Sequence, residues 1–332
     1  MTTNGSTPEE QPSEPVPLTL LTGFLGAGKT TLLNRILRGD HGLKIAVLVN
    51  DFGSINIDSA LIKSVSENVV SLENGCICCT MRDDLVIEVQ RVLKRPDRPD
   101  YVVIEASGVS DPMELLLTFM MPQVRHIARL DSVITVVDAE AVRDNTHYSD
   151  LIAAQISAAD ILILNKVDLI SEADLVDVTT WIREITPRAR IIEAAQADVP
   201  LSLILGVGHY RLPVEQNPGD APEHDHASGR NHSQEFSNWS YTSDVPFVYE
   251  RLNAALKSLP VTIFRAKGIL ALAEMPSHRA IMQLVGRRIS FSSGEPWGDE
   301  KPSSRLVMIG TPGGVPVDEL QQKLDACLAA GA

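Results

Sequence analysis

The stretch from Val16 to Thr31 narrows the fold more than any other part of the chain. Residues 16–22, VPLTLLT, are almost wholly apolar and run straight into Gly23-Phe-Leu-Gly26-Ala27-Gly28-Lys29-Thr30-Thr31. This fits the pattern G-x-x-x-x-G-K-[ST], and the residues that follow, KTTLLNRILR, have a helical character. A strand, a glycine-rich turn and a helix in that order form a phosphate cradle. The glycines let the backbone curl so that its N–H groups face phosphate oxygens, and the helix behind them presents its positive end. Lys29 is expected to reach the β and γ phosphates and Thr30 to bind Mg²⁺, with Gly23, Gly26, Ala27, Gly28 and Thr31 completing the nucleotide contacts.

Six more short apolar runs recur along the chain: KIAVLVN at 44–50, NVVSL at 68–72, YVVIEA at 101–106, SVITVVDA at 132–139, DILILN at 160–165 and ARIIEA at 189–194. Near-continuous β-branched runs suit strands buried on both faces of a parallel sheet. The intervening RDDLVIEVQRVLK and SEADLVDVTTWIREI read as helices, the second capped by Ser171 with Asp174 three residues on. The alternation predicts a doubly wound, mostly parallel α/β domain of the P-loop NTPase type over residues 16–207. Residues 1–15, rich in Pro, Ser, Thr and Glu, read as a disordered tail. Residues 208–239 are polar, carry His224, His226 and His232, and read as a linker. Residues 240–332 are expected to form a second, smaller α+β domain. It would hold a helix at 245–258, the strands VTIFRAKGILAL, RRISFSS and SRLVMIG, and a terminal helix with Leu320, Leu324, Cys327 and Leu328 on one face.

Asn165-Lys166-Val167-Asp168 closes the DILIL run. A carboxylate there can accept both donor hydrogens of a guanine edge, a pair that adenine lacks. Asn165 can bond the O6/N7 side, and Lys166 can stack its stem under the ring. The nucleotide expected is therefore GTP rather than ATP.

A net charge of −14 argues against nucleic acid or an anionic membrane as the main partner, since both need clustered Lys and Arg. No apolar run reaches the roughly eighteen residues of a membrane span, and the N-terminus lacks the pattern of a signal peptide. Cysteine usage is concentrated: Cys76, Cys78 and Cys79, in GCICCT, are three of the four in the chain. Close neighbours in sequence suit a disulfide poorly, and so few thiols without an export signal point to a reducing cytoplasm. A buried apolar turn is the plain reading; metal ligation or catalysis better explains three thiols together. In extended backbone Cys76 and Cys78 point the same way, and Cys79 joins them if the chain turns. Three thiolates with an open fourth position would accept or release Zn²⁺ or Cu(I), with Co²⁺ also accommodated. His224, His226 and His232 are candidates for a weak second metal site, against the plainer reading of a solvated linker.

GFLGAGKTT (23–31), GCICC (75–79), IEASG (104–108) and NKVD (165–168), in that order, resemble the motifs of the CobW-type family of P-loop GTPases. The resemblance covers most of the chain. It implies that Glu105 opens the third GTPase motif, holds Mg²⁺ directly or through water and helps to place the attacking water, while Gly108 offers its amide to the γ phosphate. It also implies that Asn50-Asp51-Phe52-Gly53 is a switch region, with Asp51 near the metal. Asp51 and Ser54 depart from the Glu that the family often carries at each position. Ser13 to Pro17 lack the Cys-containing docking motif of members that serve a methionine aminopeptidase. The function implied is a GTP-hydrolysing metal chaperone, using GTP and Mg²⁺ and delivering zinc (or Co²⁺ or another transition metal) to a client metalloprotein under nucleotide control. Other readings are a metal-buffering protein or a thiol redox sensor with incidental hydrolysis. Within the family, the activator of a specific metalloenzyme, such as a nitrile hydratase or a cobalamin-pathway enzyme, is a further one. A homo-oligomer is left open.

Overall fold

The seven apolar runs become seven strands of one sheet. They are β1 (Val16–Thr22), β2 (Ile45–Val49), β3 (Val69–Ser71), β4 (Tyr101–Glu105), β5 (Ala128–Asp138), β6 (Ile161–Asn165) and β7 (Ile191–Ala194), in the order β3-β2-β4-β1-β5-β6-β7. Every neighbouring pair is parallel. The structure, a computed structural model, describes residues 15–49, 69–71, 81–205 and 237–329. The expected switch residue Asp51, the thiols Cys76, Cys78 and Cys79, and the histidines His224, His226 and His232 all lie outside those residues.

The strands read as unbroken apolar runs because both faces of the sheet are covered. Leu21, Val47, Val49 and Val103 pack with Leu32, Leu33 and Ile36 of α1 (Lys29–Arg38). Their alternate neighbours Leu20, Leu48, Val102 and Ile104 pack with Leu85 and Val89 of α2 (Met81–Leu93) and Leu115 and Phe119 of α3 (Pro112–Phe119). Successive side chains point to opposite faces, so a doubly covered strand needs no polar position. A one-turn helix, α4 (Pro122–Arg125), leads into β5, and α5 (Ser149–Ala158) precedes β6.

The expected cap of α6 (Glu172–Ile185) is present in both directions. The Ser171 hydroxyl accepts from the Asp174 N–H at 3.2 Å, and the Asp174 carboxylate accepts from the Ser171 N–H at 3.4 Å. Ser171→Ala should lower stability by about 1 kcal/mol, the usual cost of losing such a cap, read as a reduced urea midpoint with an unchanged slope.

After α7 (Leu201–Ile204) a second sheet begins, with β8 (Ser237–Ser243), β9 (Ile263–Leu272), β10 (Met275–Val285), β11 (Arg288–Pro296) and β12 (Ser304–Gly310) in the order β11-β10-β9-β12-β8. All its pairs are antiparallel. Two of these strands go beyond the three expected from the sequence. β8 opens at Ser237, inside the stretch read as linker, and its SNWSYTS buries only Tyr241 fully. An edge strand with one solvated face carries no apolar run to reveal it. β10 hides behind a polar first half, and only Ala280, Met282 and Leu284 alternate inward. That face is closed by Leu252 and Leu256 of α8 (Tyr249–Lys257) and Leu320 and Leu324 of α9 (Val317–Asp325), with Cys327 buried among them. Burial raises the pKa of the Cys327 thiol.

The two sheets share an interface. Ile161 and Leu203 of the first unit pack with Phe264, Val285 and Ile309 of the second. Around this apolar centre Arg265 reaches Asp131 at 3.2 Å and Arg288 reaches Asp160 at 2.9 Å. Burial pushes the Asp160 carboxyl up, against the opposing pull of the Arg288 guanidinium.

Candidate nucleotide-binding site

A cavity of about 280 Å³ opens at the carboxyl ends of β1 and β4, lined by Gly26, Gly28, Lys29, Thr30, Glu105 and Gly108 among others. The turn that forms it depends on two glycines in particular. Gly23 has φ 134°, and a Cβ there would lie 2.1 Å from the Val136 carbonyl oxygen. Gly28 has φ 109°, and a Cβ there would lie 2.4 Å from Asn165 Nδ2. No L side chain fits either position without moving backbone or Asn165. Gly28 also stands at the N-cap of α1, which has no side-chain cap. The first N–H groups of the helix thus remain for an anion.

Lys29 is nearly buried, and its Nζ donates to the Phe24 carbonyl at 3.1 Å. The Thr30 hydroxyl donates to Glu105 Oε1 at 3.1 Å. Parallel pairing of β1 with β4 sets Leu21 opposite Glu105, which puts the end of one strand beside the turn following the other. Gly108 lies against Leu25 of the turn, where a Cβ would meet the Leu25 nitrogen at 2.8 Å. The sequence-predicted cradle and the Glu105–Gly108 motif therefore share one cavity. Ala27 is fully buried beneath it and Thr31 is exposed at the rim.

Asn165, Lys166 and Asp168 sit at the end of β6, next to the same turn. Asn165 has contacts within the fold that the sequence did not suggest, beside the expected base contact. Its Nδ2 donates to the Ala27 carbonyl at 2.8 Å and its Oδ1 accepts from the Ala197 N–H at 2.7 Å. With the side chain buried and both ends of its amide engaged, it braces the phosphate turn against the segment after β7. Lys166 has φ 66°, a left-handed conformation, and its Nζ pairs with Asp138 Oδ2 at 2.6 Å. Asp168 is exposed.

Sequence reasoning overlooked three groups. Asp138, at the end of β5, accepts from the N–H groups of Glu140 and Ala141 through Oδ1 and holds Lys166 through Oδ2. Gln155 of α5, buried, donates to the Gly108 and Ser110 carbonyls at 3.1 and 3.2 Å and so fixes the loop after Glu105. Residues 195–198 form a turn beside Asn165 in which Gln196 and Ala197 both have positive φ. The one available signal was position: strand ends of an open α/β sheet are where ligands bind.

Among the described residues no group of three or more His, Cys, Asp or Glu is placed to hold a metal ion. Among them also, no helix is long and apolar enough to cross a membrane.

A glycine cradle between β1 and α1, with a lysine, a hydroxyl and a carboxylate converging on its cavity, defines a P-loop nucleotide-binding domain. Residues 17–193 match the family described as CobW/HypB/UreG, nucleotide-binding domain, and residues 236–328 match the cobalamin synthesis protein CobW C-terminal domain. The chain belongs to the CobW family. It is 32% identical over 331 residues to the zinc chaperone CobW of a Sinorhizobium species, covering 89% of this chain and 92% of that protein. The zinc chaperone YjiA of Escherichia coli is 34% identical over 306 residues, with coverage of 89% and 94%. Zinc-regulated GTPase metalloprotein activator 1 of Dictyostelium discoideum is 33% identical over 337 residues, covering 87% of this chain and 70% of that protein.

Proposed function

We propose that the chain hydrolyses GTP to GDP and phosphate and uses the cycle to hold and release zinc for a client metalloprotein. The hydrogen bond between Thr30 and Glu105 inside the phosphate cavity carries the hydrolytic half of this reading. Hydroxyl and carboxylate are hard oxygen donors side by side, a set that fits Mg²⁺; when bound, that ion would neutralise charge on the phosphates. The backbone N–H groups of the turn and of the first turn of α1 bind the phosphate chain, and Lys29 adds a fixed positive charge. Glu105 orients the attacking water, and Gly108, held by Gln155, presents its amide where the γ phosphate lies. Base selection falls to Asp168 and Asn165, with the stem of Lys166 stacked under the ring.

The metal half is supported by the chemistry of Cys76, Cys78 and Cys79 and by the names of the relatives. In sequence the thiols lie between Asp51 and Glu105, and on that order we take a change around the γ phosphate to alter them. Zinc affinity, measured anaerobically with a competing chelator, should be tighter with Mg²⁺ and a GTP analogue than with GDP, by roughly 5- to 150-fold, the usual range of coupling between sites. Cys78→Ala should weaken binding in both states. Equal affinities with the two nucleotides would remove nucleotide control from the proposal.

A further inference from the structure

The turn after β7 is held in a costly conformation by side chains from the end of β6 and from α1. Gln196 (φ 52°) and Ala197 (φ 54°) are consecutive non-glycine residues in the left-handed region. Such backbone persists only where its surroundings over-determine it, and it gathers at ligand sites. Two anchors hold this turn. Asn165, from beside the phosphate cradle, accepts from the Ala197 N–H at 2.7 Å. Arg35 of α1 donates through Nε to the Gln196 carbonyl at 2.9 Å and through a terminal nitrogen to Asp198 Oδ1 at 2.7 Å. The turn closes on itself where the Asp198 N–H meets the Ala195 carbonyl at 3.0 Å. With the Ala197 and Asp198 N–H groups so engaged, those of the exposed Ala195 and Gln196 are the ones a ligand can take. In the sheet Ala194 is paired with Asn165, which sets them beside Lys166.

We infer that Arg35 and Asp198 are positioning residues for base discrimination: they lock the turn at 195–198 so that its backbone donors meet the O6 edge of a guanine placed over Lys166. The inference rests on the reading of the site as a GTP site. A donor on that edge suits the carbonyl of guanine or hypoxanthine and opposes the amino group of adenine. Asp168, facing the N1–H and the exocyclic amine beside that carbonyl, distinguishes guanine from hypoxanthine by the amine. The Arg35–Asp198 pair is substantially exposed, with side chains 37% and 62% accessible. Exposed pairs contribute little to stability, so its removal should leave the fold intact. Its geometry matters for another reason: Arg35 lies on the helix whose first turn cradles phosphate, so one rigid element sets both ends of the nucleotide.

The test measures dissociation constants of GTP, ATP and ITP with Mg²⁺ for the wild type, Arg35→Ala, Arg35→Lys and Asp198→Asn, with circular dichroism on each. The wild type comes first: failure to prefer GTP over ATP would overturn the GTP site itself. Given that preference, Arg35→Ala should reduce the GTP-to-ATP ratio by about tenfold, the effect of misplacing roughly one hydrogen bond, and leave the GTP-to-ITP ratio unchanged. Arg35→Lys and Asp198→Asn, which each keep part of the clamp, should fall between, and they answer the question if Arg35→Ala does not fold. An unchanged GTP-to-ATP ratio in folded variants, or an equal loss of both ratios, would overturn the positioning role.

Discussion

Glu105→Gln should slow GTP hydrolysis by about 10²- to 10³-fold, the effect expected of a positioned acid–base or water-orienting group, and leave GDP binding within a few-fold. Glu105 is 4% exposed at the end of β4, and its Oε1 accepts from the Thr30 hydroxyl. Gln has nearly the same volume and keeps an oxygen that can accept that bond, so the pocket retains its shape. What disappears is the negative charge that a metal and an attacking water would both sense. Single-turnover phosphate release, together with binding of a fluorescent GDP, separates the two effects. Unaltered hydrolysis would deny Glu105 any part in placing water. Loss of GDP binding would instead make it a structural member of the cavity.

The parts of this site that were legible in the sequence are those whose chemistry is local. A glycine required by backbone curvature announces itself within a few residues, as Gly23 and Gly28 do. The same holds for a helix cap, since Ser171 and Asp174 are three apart. The seven strands of the first sheet were legible because burial on both faces removes polar interruptions. What was missed is held across long separations. Gln155 meets Gly108 from 47 residues away, and Arg35 meets Gln196 across 161. Nothing in either local sequence distinguishes these side chains from solvated ones. Asn165 was legible as a site residue but its bracing bond was not, because the carbonyl it binds belongs to a turn 138 residues earlier. In the second unit, β8 and β10 escaped for a different reason: strands that bury one face or half their length carry a diluted pattern. Helix α3 is similarly masked, since Met113 and Leu117 are exposed on it while Leu115 and Phe119 are buried.

Arg265→Ala should destabilise the protein by about 3–5 kcal/mol, the cost of stranding a buried charge. Arg265 lies on β9, and its side chain is inserted into the first unit. Nε donates to the Leu203 carbonyl at 2.5 Å, and a terminal nitrogen donates to the Ile204 carbonyl at 2.8 Å and to Asp131 at 3.2 Å. Asp131 also accepts from the Tyr101 hydroxyl at 2.8 Å, and that oxygen lies 2.7 Å from Thr19, itself 2.8 Å from Ser132. Burial, reinforced by the Asp131 charge, holds the Tyr101 pKa far above its usual value, so the phenol stays protonated and remains a donor. Removing the guanidinium leaves the Asp131 carboxylate in a nearly dry site with its neutralising partner gone. The same change strands two backbone carbonyls. Asp131→Asn combined with Arg265→Met removes both charges, keeps an acceptor for Tyr101 and fills much of the volume. It should therefore recover more than half of the loss seen with Arg265→Ala. Urea unfolding, followed by tryptophan fluorescence and by circular dichroism, gives both numbers and shows whether the transitions coincide. Recovery in the double variant would assign the cost to charge. An equal loss in both variants would assign it to the carbonyls of Leu203 and Ile204, making Arg265 a cap for the end of α7 more than a partner of Asp131.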